Sequence, residues 1–186
     1  GLCVSAVSSG NDFNVLEEDA VKAEVDRMER ICRMAKAVGT DVIRTEGGRP
    51  KDSVPEAKWV EAISGCLSRC LPFVEDLDMY LAVDNHGLIT NADGIQLAIF
   101  EKVGSSRVGA NVDFMNYRWF GHDLDTVLRL VRDGAPHAMH THCKDGFGSR
   151  QDYKGAALGE GEVPMDACVK ALKDAGDVVF AGIHDD

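Results

Sequence analysis

Strand-like and helix-like segments alternate along the whole length of this 186-residue chain. The segments predicted to be strands lie at 2–7, 41–45, 79–83, 108–112, around His140 and at 178–183. The segments with apolar residues at helical spacing lie between them, at 17–38, 55–71, 93–103, 124–132 and 163–175. Because strands that alternate strictly with helices form βα units, the chain is predicted to be an α/β protein with a parallel sheet.

Polar loops with acids and histidines follow the predicted strands, whereas the loops after helices are short. In parallel α/β folds the functional site lies at the carboxyl ends of the strands. The first such loop, Ser8-Ser9-Gly10-Asn11, lacks the G-x-G-x-x-G order of a dinucleotide-binding sheet, which favours a (β/α)8 TIM barrel. A closed barrel has eight strands, so we predict a partial barrel of about six βα units, forming a single domain over residues 1–186.

The net charge of −11 restricts the partners that this chain can have. It disfavours both nucleic acid phosphates and anionic lipid surfaces, and no apolar run is long enough to span a membrane. The six cysteines lack the paired spacing of a zinc site and indicate reduced thiols in a cytoplasmic protein. Neither end resembles a natural terminus, and a chain that stopped here would leave edge strands unpaired, so a homo-oligomer is a possible outcome.

Three predicted strands end in side chains that are able to bind a metal or move a proton. One strand ends at Asp84, a second at Asp113, and a third carries His140 and His142. The two histidines are two residues apart and therefore face the same side of their strand. Because the carboxyl ends of parallel strands lie at one edge of a sheet, we predict that these three strand ends meet in one site.

Six segments of the chain, in the right order, resemble the sugar phosphate isomerase/epimerase family, which has the xylose isomerase-like TIM barrel. These segments are 8–13, 42–48, 81–87, 108–116, 140–145 and 158–163. Residues 81–87, LAVDNHG, resemble LALENHG, and residues 140–145, HTHCKD, resemble HvHlKD. The resemblance covers nearly the whole chain and implies a barrel that lacks its first two βα units.

The resemblance also implies one divalent cation (Mn, Mg, Co or Zn), bound at the ends of barrel strands five to eight. The corresponding residues here are Asp84, Asp113, His142 and His184. Two of them depart from the family pattern, because Asp84 is one methylene shorter than the usual Glu and His184 replaces a Glu. Asp84 and His184 are also the predicted catalytic residues. From the sequence alone, Asp84 and Asp113 are equally able to accept backbone N–H groups at strand ends.

Four residues near these strand ends are predicted to bind substrate: His86, Asn116, Lys144 and Glu160. Three of them have an alternative role. His86 is able to cap its own loop, Lys144 to pair with Asp145, and Glu160 to form part of a simple turn before a helix. His140 is predicted to orient a neighbour or to pack in the core.

Sugar isomerisation removes a proton next to a carbonyl, and a divalent ion that chelates the substrate stabilises the resulting enediolate. We therefore predict a metal-dependent isomerase or epimerase acting on a sugar, keto-sugar or polyol. One alternative is a lyase of the inosose-dehydratase type, and another is an inactive sugar-binding homologue. A DNA-repair endonuclease on the same fold is disfavoured, because it would need a three-zinc cluster with a histidine in place of Asn116.

Overall fold

The computed structural model describes residues 3–176 and the backbone of residues 181–183. The strands are Val7–Ser8 (β1), Val42–Glu46 (β2), Tyr80–Asp84 (β3), Val108–Asp113 (β4), Ala138–Cys143 (β5), Asp145–Phe147 (β6), Lys154–Ala156 (β7) and Ala181–Ile183 (β8). The helices are Glu18–Val38 (α1), Trp59–Asp76 (α2), Ile95–Val103 (α3), Phe114–Phe120 (α4), Leu124–Gly134 (α5) and Met165–Ala175 (α6). Short 3-10 helices at Glu56–Lys58 and Ala135–His137 precede α2 and β5.

Six of the described strands form a parallel sheet in the order β1-β2-β3-β4-β5-β8. This sheet is strongly curled. In a flat sheet β2 and β5, which are three places apart, would lie about 14 Å from each other, yet some of their Cα atoms come within 8 Å. The predicted fold, a partial TIM barrel with its helices between successive strands, is therefore confirmed. None of the described helices is both long and apolar enough to cross a membrane.

The two faces of the curled sheet differ because strand residues point alternately to opposite sides. On β3 and β4, Leu81, Val83 and Val112 belong to the buried apolar cluster that packs the sheet against its helices. The alternate positions, which face the inside of the curl, include Asp84 and Asp113. The polar residues are thus gathered on the concave face, at the carboxyl ends of the strands.

Three elements of the structure differ from the sequence-based predictions. Helix α4 begins directly after β4, in a region predicted to be a loop, and the Asp113 carboxylate caps it by accepting a hydrogen bond from the Asn116 backbone N–H at 3.0 Å. The segment after β5 contains an antiparallel hairpin, β6–β7, where a long loop was predicted. β1 begins only at Val7, although its strand was predicted at 2–7.

Gly109 in β4 provides a test of how tightly the strands approach. A Cβ atom at this position would lie 2.3 Å from the His137 carbonyl oxygen, which is backbone and has little freedom to move. We expect Gly109→Ala to lower the free energy of unfolding by about 2–3 kcal/mol in urea denaturation. Gly65→Ala in α2 is the matched control, since nothing lies within 4 Å of its added Cβ, and it should stabilise by roughly 0.5–1 kcal/mol. Equal stability of the Gly109 variant and the wild type would contradict this packing.

Candidate metal centre

Asp84, Asp113 and His142 stand at the ends of β3, β4 and β5. The strand register brings them together, because Asp113 is directly opposite His142 and Asp84 is opposite Asn111, two residues before Asp113. All three side chains are buried, and one ligand atom of each lies within 4.8 Å of those of the other two. The three strand ends therefore meet at one place.

Asp113 has one oxygen committed to the fold and one that is not. Its Oδ1 atom caps α4, whereas its buried Oδ2 atom accepts no hydrogen bond from the described part of the chain. The Nδ1 atom of His142 and the Nζ atom of Lys144 each lie 3.6 Å from this Oδ2 atom, beyond hydrogen-bond distance. A buried carboxylate oxygen without a hydrogen-bond partner is costly, and this atom is able to bind a cation.

Asn85 fixes the backbone at this point. Its side-chain oxygen accepts a hydrogen bond from the Asp113 N–H at 2.7 Å, and its side-chain nitrogen donates to the Asp113 carbonyl at 2.8 Å. Asn85 is itself fully buried. The end of β3 thus holds the end of β4 through an amide that matches both backbone groups, which restricts the direction in which the Asp113 side chain leaves the strand.

Asp84 is held from both sides. Its Oδ1 atom accepts a hydrogen bond from Asn111 Nδ2 at 2.6 Å, and its Oδ2 atom accepts two from Arg44, through Nε at 2.9 Å and through Nη2. Burial raises the pKa of Asp84 above its usual range, with Arg44 opposing the shift and Asp113 adding to it. A cation beside this carboxylate would stabilise its charged form.

His140, on β5, contacts the Asn111 side chain that donates to Asp84. Its Nδ1 atom lies 2.6 Å from Asn111 Oδ1, and its Nε2 atom lies 3.3 Å from Ser5 Oγ. Because the Asn111 amide donates to Asp84, its oxygen is left to accept from His140. The chain of contacts runs from Ser5 through His140 and Asn111 to Asp84, which agrees with the predicted orienting role of His140.

A cavity of about 250 Å³ adjoins the cluster. Its lining consists of His86, Gly87, Met115, Asn116, Trp119, Lys144 and Tyr153. Three of the four residues predicted to bind substrate are in this lining. The Nδ2 atom of Asn116 is buried and donates to no acceptor in the described residues, and the half-exposed side chain of His86 places Nδ1 3.9 Å from Asp84 Oδ2. The cavity wall therefore combines hydrogen-bond donors with the aromatic surfaces of Trp119 and Tyr153.

Glu160, the fourth of these predicted residues, is not in the cavity wall. It is exposed, and its backbone N–H closes a turn with the Ala157 carbonyl at 2.9 Å, as the alternative prediction had it. His184, predicted as a ligand and catalytic residue, lies outside the described residues.

Asp145 organises the segment that covers one side of the cavity. Its Oδ2 atom accepts hydrogen bonds from the N–H groups of Gly159 and Gly161, each at 2.9 Å, and its Oδ1 atom accepts from Gly146 and Val163. Three of these bonds tie the start of the β6–β7 hairpin to residues 159–163, and Tyr153 lies within this hairpin, directly before β7. Lys144 instead points to Asp113, so the alternative in which Lys144 pairs with Asp145 has no support in the described contacts.

Sequence reasoning missed several residues of the site. Asn85 and Asn111 position the acids, Arg44 donates to Asp84, and Trp119 and Tyr153 line the cavity. A signal was present for two of them: Arg44 and Asn111 are polar residues within buried parallel strands, where polar side chains are unusual unless they are paired.

The family described as xylose isomerase-like TIM barrel matches residues 1–183. Among solved structures, the IOLI protein with a bound zinc atom is 16% identical, with 96% of this chain and 66% of that chain covered and a TM-score of 0.80. A D-tagatose 3-epimerase-like protein is 17% identical, with 96% and 70% covered and a TM-score of 0.78. The probable 3-DHS dehydratase AsbF from Bacillus anthracis is 16% identical, with 98% and 70% covered and a TM-score of 0.75.

Because the sequence identities are low, these likenesses establish the fold alone. The chain spans about two thirds of the length of each of the three structures. No curated protein matches the chain in sequence.

Proposed function

We propose, since this chain belongs to the xylose isomerase-like TIM-barrel family, that it is a divalent-metal-dependent isomerase or epimerase of a sugar, keto-sugar or polyol. The observation that carries the proposal is the buried Oδ2 atom of Asp113, which has no hydrogen-bond partner among the described residues and faces His142. Its position beside Asp84 makes a set of two carboxylates and one imidazole. Such a set suits Mn, Mg, Co or Zn.

The donor set fits a divalent cation, with Asp113, His142 and Asp84 as its ligands and His184 as a further ligand proposed from the sequence. When bound, the cation would supply positive charge next to the substrate carbonyl, where negative charge develops as a proton leaves. The zinc of the IOLI protein structure supports a metal on this fold.

The cavity supplies the other requirements of the reaction. The buried Nδ2 atom of Asn116 and the ammonium group of Lys144 are donors that would hold substrate hydroxyl or carbonyl oxygens. Trp119, Tyr153 and Met115 would cover the C–H faces of a sugar and exclude water from them. A small carbohydrate fits this combination of a polar end and an aromatic wall.

Proton transfer is assigned to residues at the edge of the cluster. Asp84 and His184 remain the acid–base residues proposed from the sequence, and both oxygens of Asp84 already accept hydrogen bonds, from Asn111 and from Arg44. His86 is half exposed, lines the cavity and lies 3.9 Å from Asp84. We propose that it passes a proton between substrate and solvent.

The test is proton exchange in D₂O. The protein, stripped with EDTA and reloaded with Mn²⁺, is incubated with a panel of keto-sugars and polyols and followed by ¹H NMR. We expect loss of the C–H signal next to the carbonyl and new sugar signals, both dependent on Mn²⁺. Elimination of water with a rise in ultraviolet absorbance would favour the dehydratase alternative. Binding of sugars without exchange or turnover would contradict the proposal and indicate a sugar-binding homologue.

A further inference from the structure

Arg44 occupies an unusual position for a charged residue. It lies in the middle of β2, and its side chain is only 14% exposed. The guanidinium group donates to Asp84 through Nε and Nη2, and through Nη1 to Glu46 Oε1 at 2.6 Å and Ser8 Oγ at 3.0 Å. The contacts of Asp84 and Glu46 raise the pKa of Arg44 against the opposing effect of burial. Arg44 is therefore a fixed, buried positive charge at the edge of the candidate metal centre.

This charge competes directly with a metal ion. Asp84 Oδ1 is taken by Asn111 and Asp84 Oδ2 by Arg44, so a cation that uses Asp84 must share its carboxylate with the guanidinium or displace it. Arginine does not lose its proton to relieve the conflict. Two positive charges a few ångströms apart repel strongly in a buried site, where water screens them little.

We propose that Arg44 sets the metal affinity of this site by holding the Asp84 carboxylate in the metal-free protein and competing with the cation for it. The inference rests on the proposed function, because it concerns the same metal centre. The guanidinium neutralises a carboxylate that is fully buried. By holding this carboxylate, the arginine would weaken binding of the ion.

Two consequences follow for variants that remove the charge. The metal-free form loses the partner of a buried carboxylate and becomes less stable, since breaking one side of a buried ion pair leaves the other uncompensated. The metal-bound form loses a repulsive neighbour, so the affinity for the ion increases. A merely structural arginine would produce the first effect and not the second.

The experiment is calorimetric titration of the whole chain with Mn²⁺ at pH 8, where protons compete little with the metal. Arg44→Met removes the charge, and Arg44→Gln removes it while keeping an N–H donor for Asp84, which protects the fold. Arg107→Met is the matched control. Arg107 directly precedes β4 and forms an ion pair at 2.7 Å with Asp78, which lies just before β3. This ion pair is at the amino ends of the strands, away from the candidate metal centre. Circular dichroism verifies that each variant is folded.

We expect Mn²⁺ to bind at least tenfold more tightly to both Arg44 variants than to the wild type, and Mn²⁺ to raise their melting temperatures more. Arg107→Met should bind as the wild type does. Unchanged or weaker binding by folded Arg44 variants, when the wild type binds Mn²⁺, would overturn the role of Arg44 and leave the proposed function standing. Binding by the variants alone would support the inference, and absence of Mn²⁺ binding in all four proteins would overturn both proposals.

Discussion

Asp113→Asn is expected to weaken Mn²⁺ binding on the order of 100-fold or more while leaving the chain folded. Asparagine keeps an oxygen that caps α4 in place of Asp113 Oδ1, and asparagine is as good a helix cap as aspartate. The substitution replaces the other oxygen, Oδ2, which has no hydrogen-bond partner among the described residues, by an uncharged NH₂ group that cannot bind a cation. The loss of affinity would therefore report on ligation and not on the cap. Calorimetric titration with Mn²⁺ measures it.

Asp123→Asn is the matched control for this variant. Asp123 caps α5 as Asp113 caps α4, with its Oδ1 atom accepting from the Thr126 N–H at 2.7 Å, but it is exposed and lies outside the cluster. The two substitutions are chemically identical, so any general effect on a helix cap appears in both. Wild-type affinity in the Asp113 variant, or an equal loss in both variants, would show that Asp113 is not a ligand.

Asp145→Ala is expected to be the most destabilising single change to the region around the site, lowering the free energy of unfolding by about 4 kcal/mol. The Asp145 carboxylate is buried and accepts four backbone N–H groups, and hydrogen bonds to a charged group are worth more than neutral ones. Without it the segment that includes Gly159 and Gly161 loses its acceptor, and the cavity wall near Tyr153 loosens. Urea denaturation measures the change.

Asp152→Ala serves as the comparison, because Asp152 accepts a backbone hydrogen bond from Ser149 in the same segment but stands at the surface. Its effect should be clearly smaller than that of Asp145→Ala. If the two variants unfold at the same urea concentration, the four hydrogen bonds of Asp145 do not stabilise the segment as we infer.

The meeting of two carboxylates and one imidazole at the strand ends was predictable, because two local rules are sufficient. Period-two geometry determines which strand residues share a face, and a parallel sheet gathers the carboxyl ends at one edge. The sequence around Asp84, Asp113 and His142 satisfies both rules, so their clustering required no knowledge of side-chain contacts. Their roles as metal ligands stay a proposal.

The rest of the site depends on contacts between residues distant in sequence. Arg44 meets Asp84 forty positions later only because β2 and β3 pair in one register. The β6–β7 hairpin has strands of three residues, too short for a periodic pattern, and it is held by hydrogen bonds that Asp145 accepts from backbone N–H groups 14 to 18 positions later. Helix α4 was missed because seven residues directly after a strand resemble a loop.

The position of the metal is tested most directly by paramagnetic broadening with Mn²⁺. ¹⁵N–¹H spectra of the assigned protein are recorded during substoichiometric additions of Mn²⁺. We expect the amide signals of Asn85, Asp113 and His142 to disappear at the first additions and those of Asp78 and Arg107 to broaden far less, since a strand of this length separates the two ends of the sheet by roughly 17 Å and the broadening falls steeply with distance. Uniform broadening, or sharp signals at Asn85 and His142 with losses elsewhere, would contradict a metal centre at the carboxyl ends of the strands.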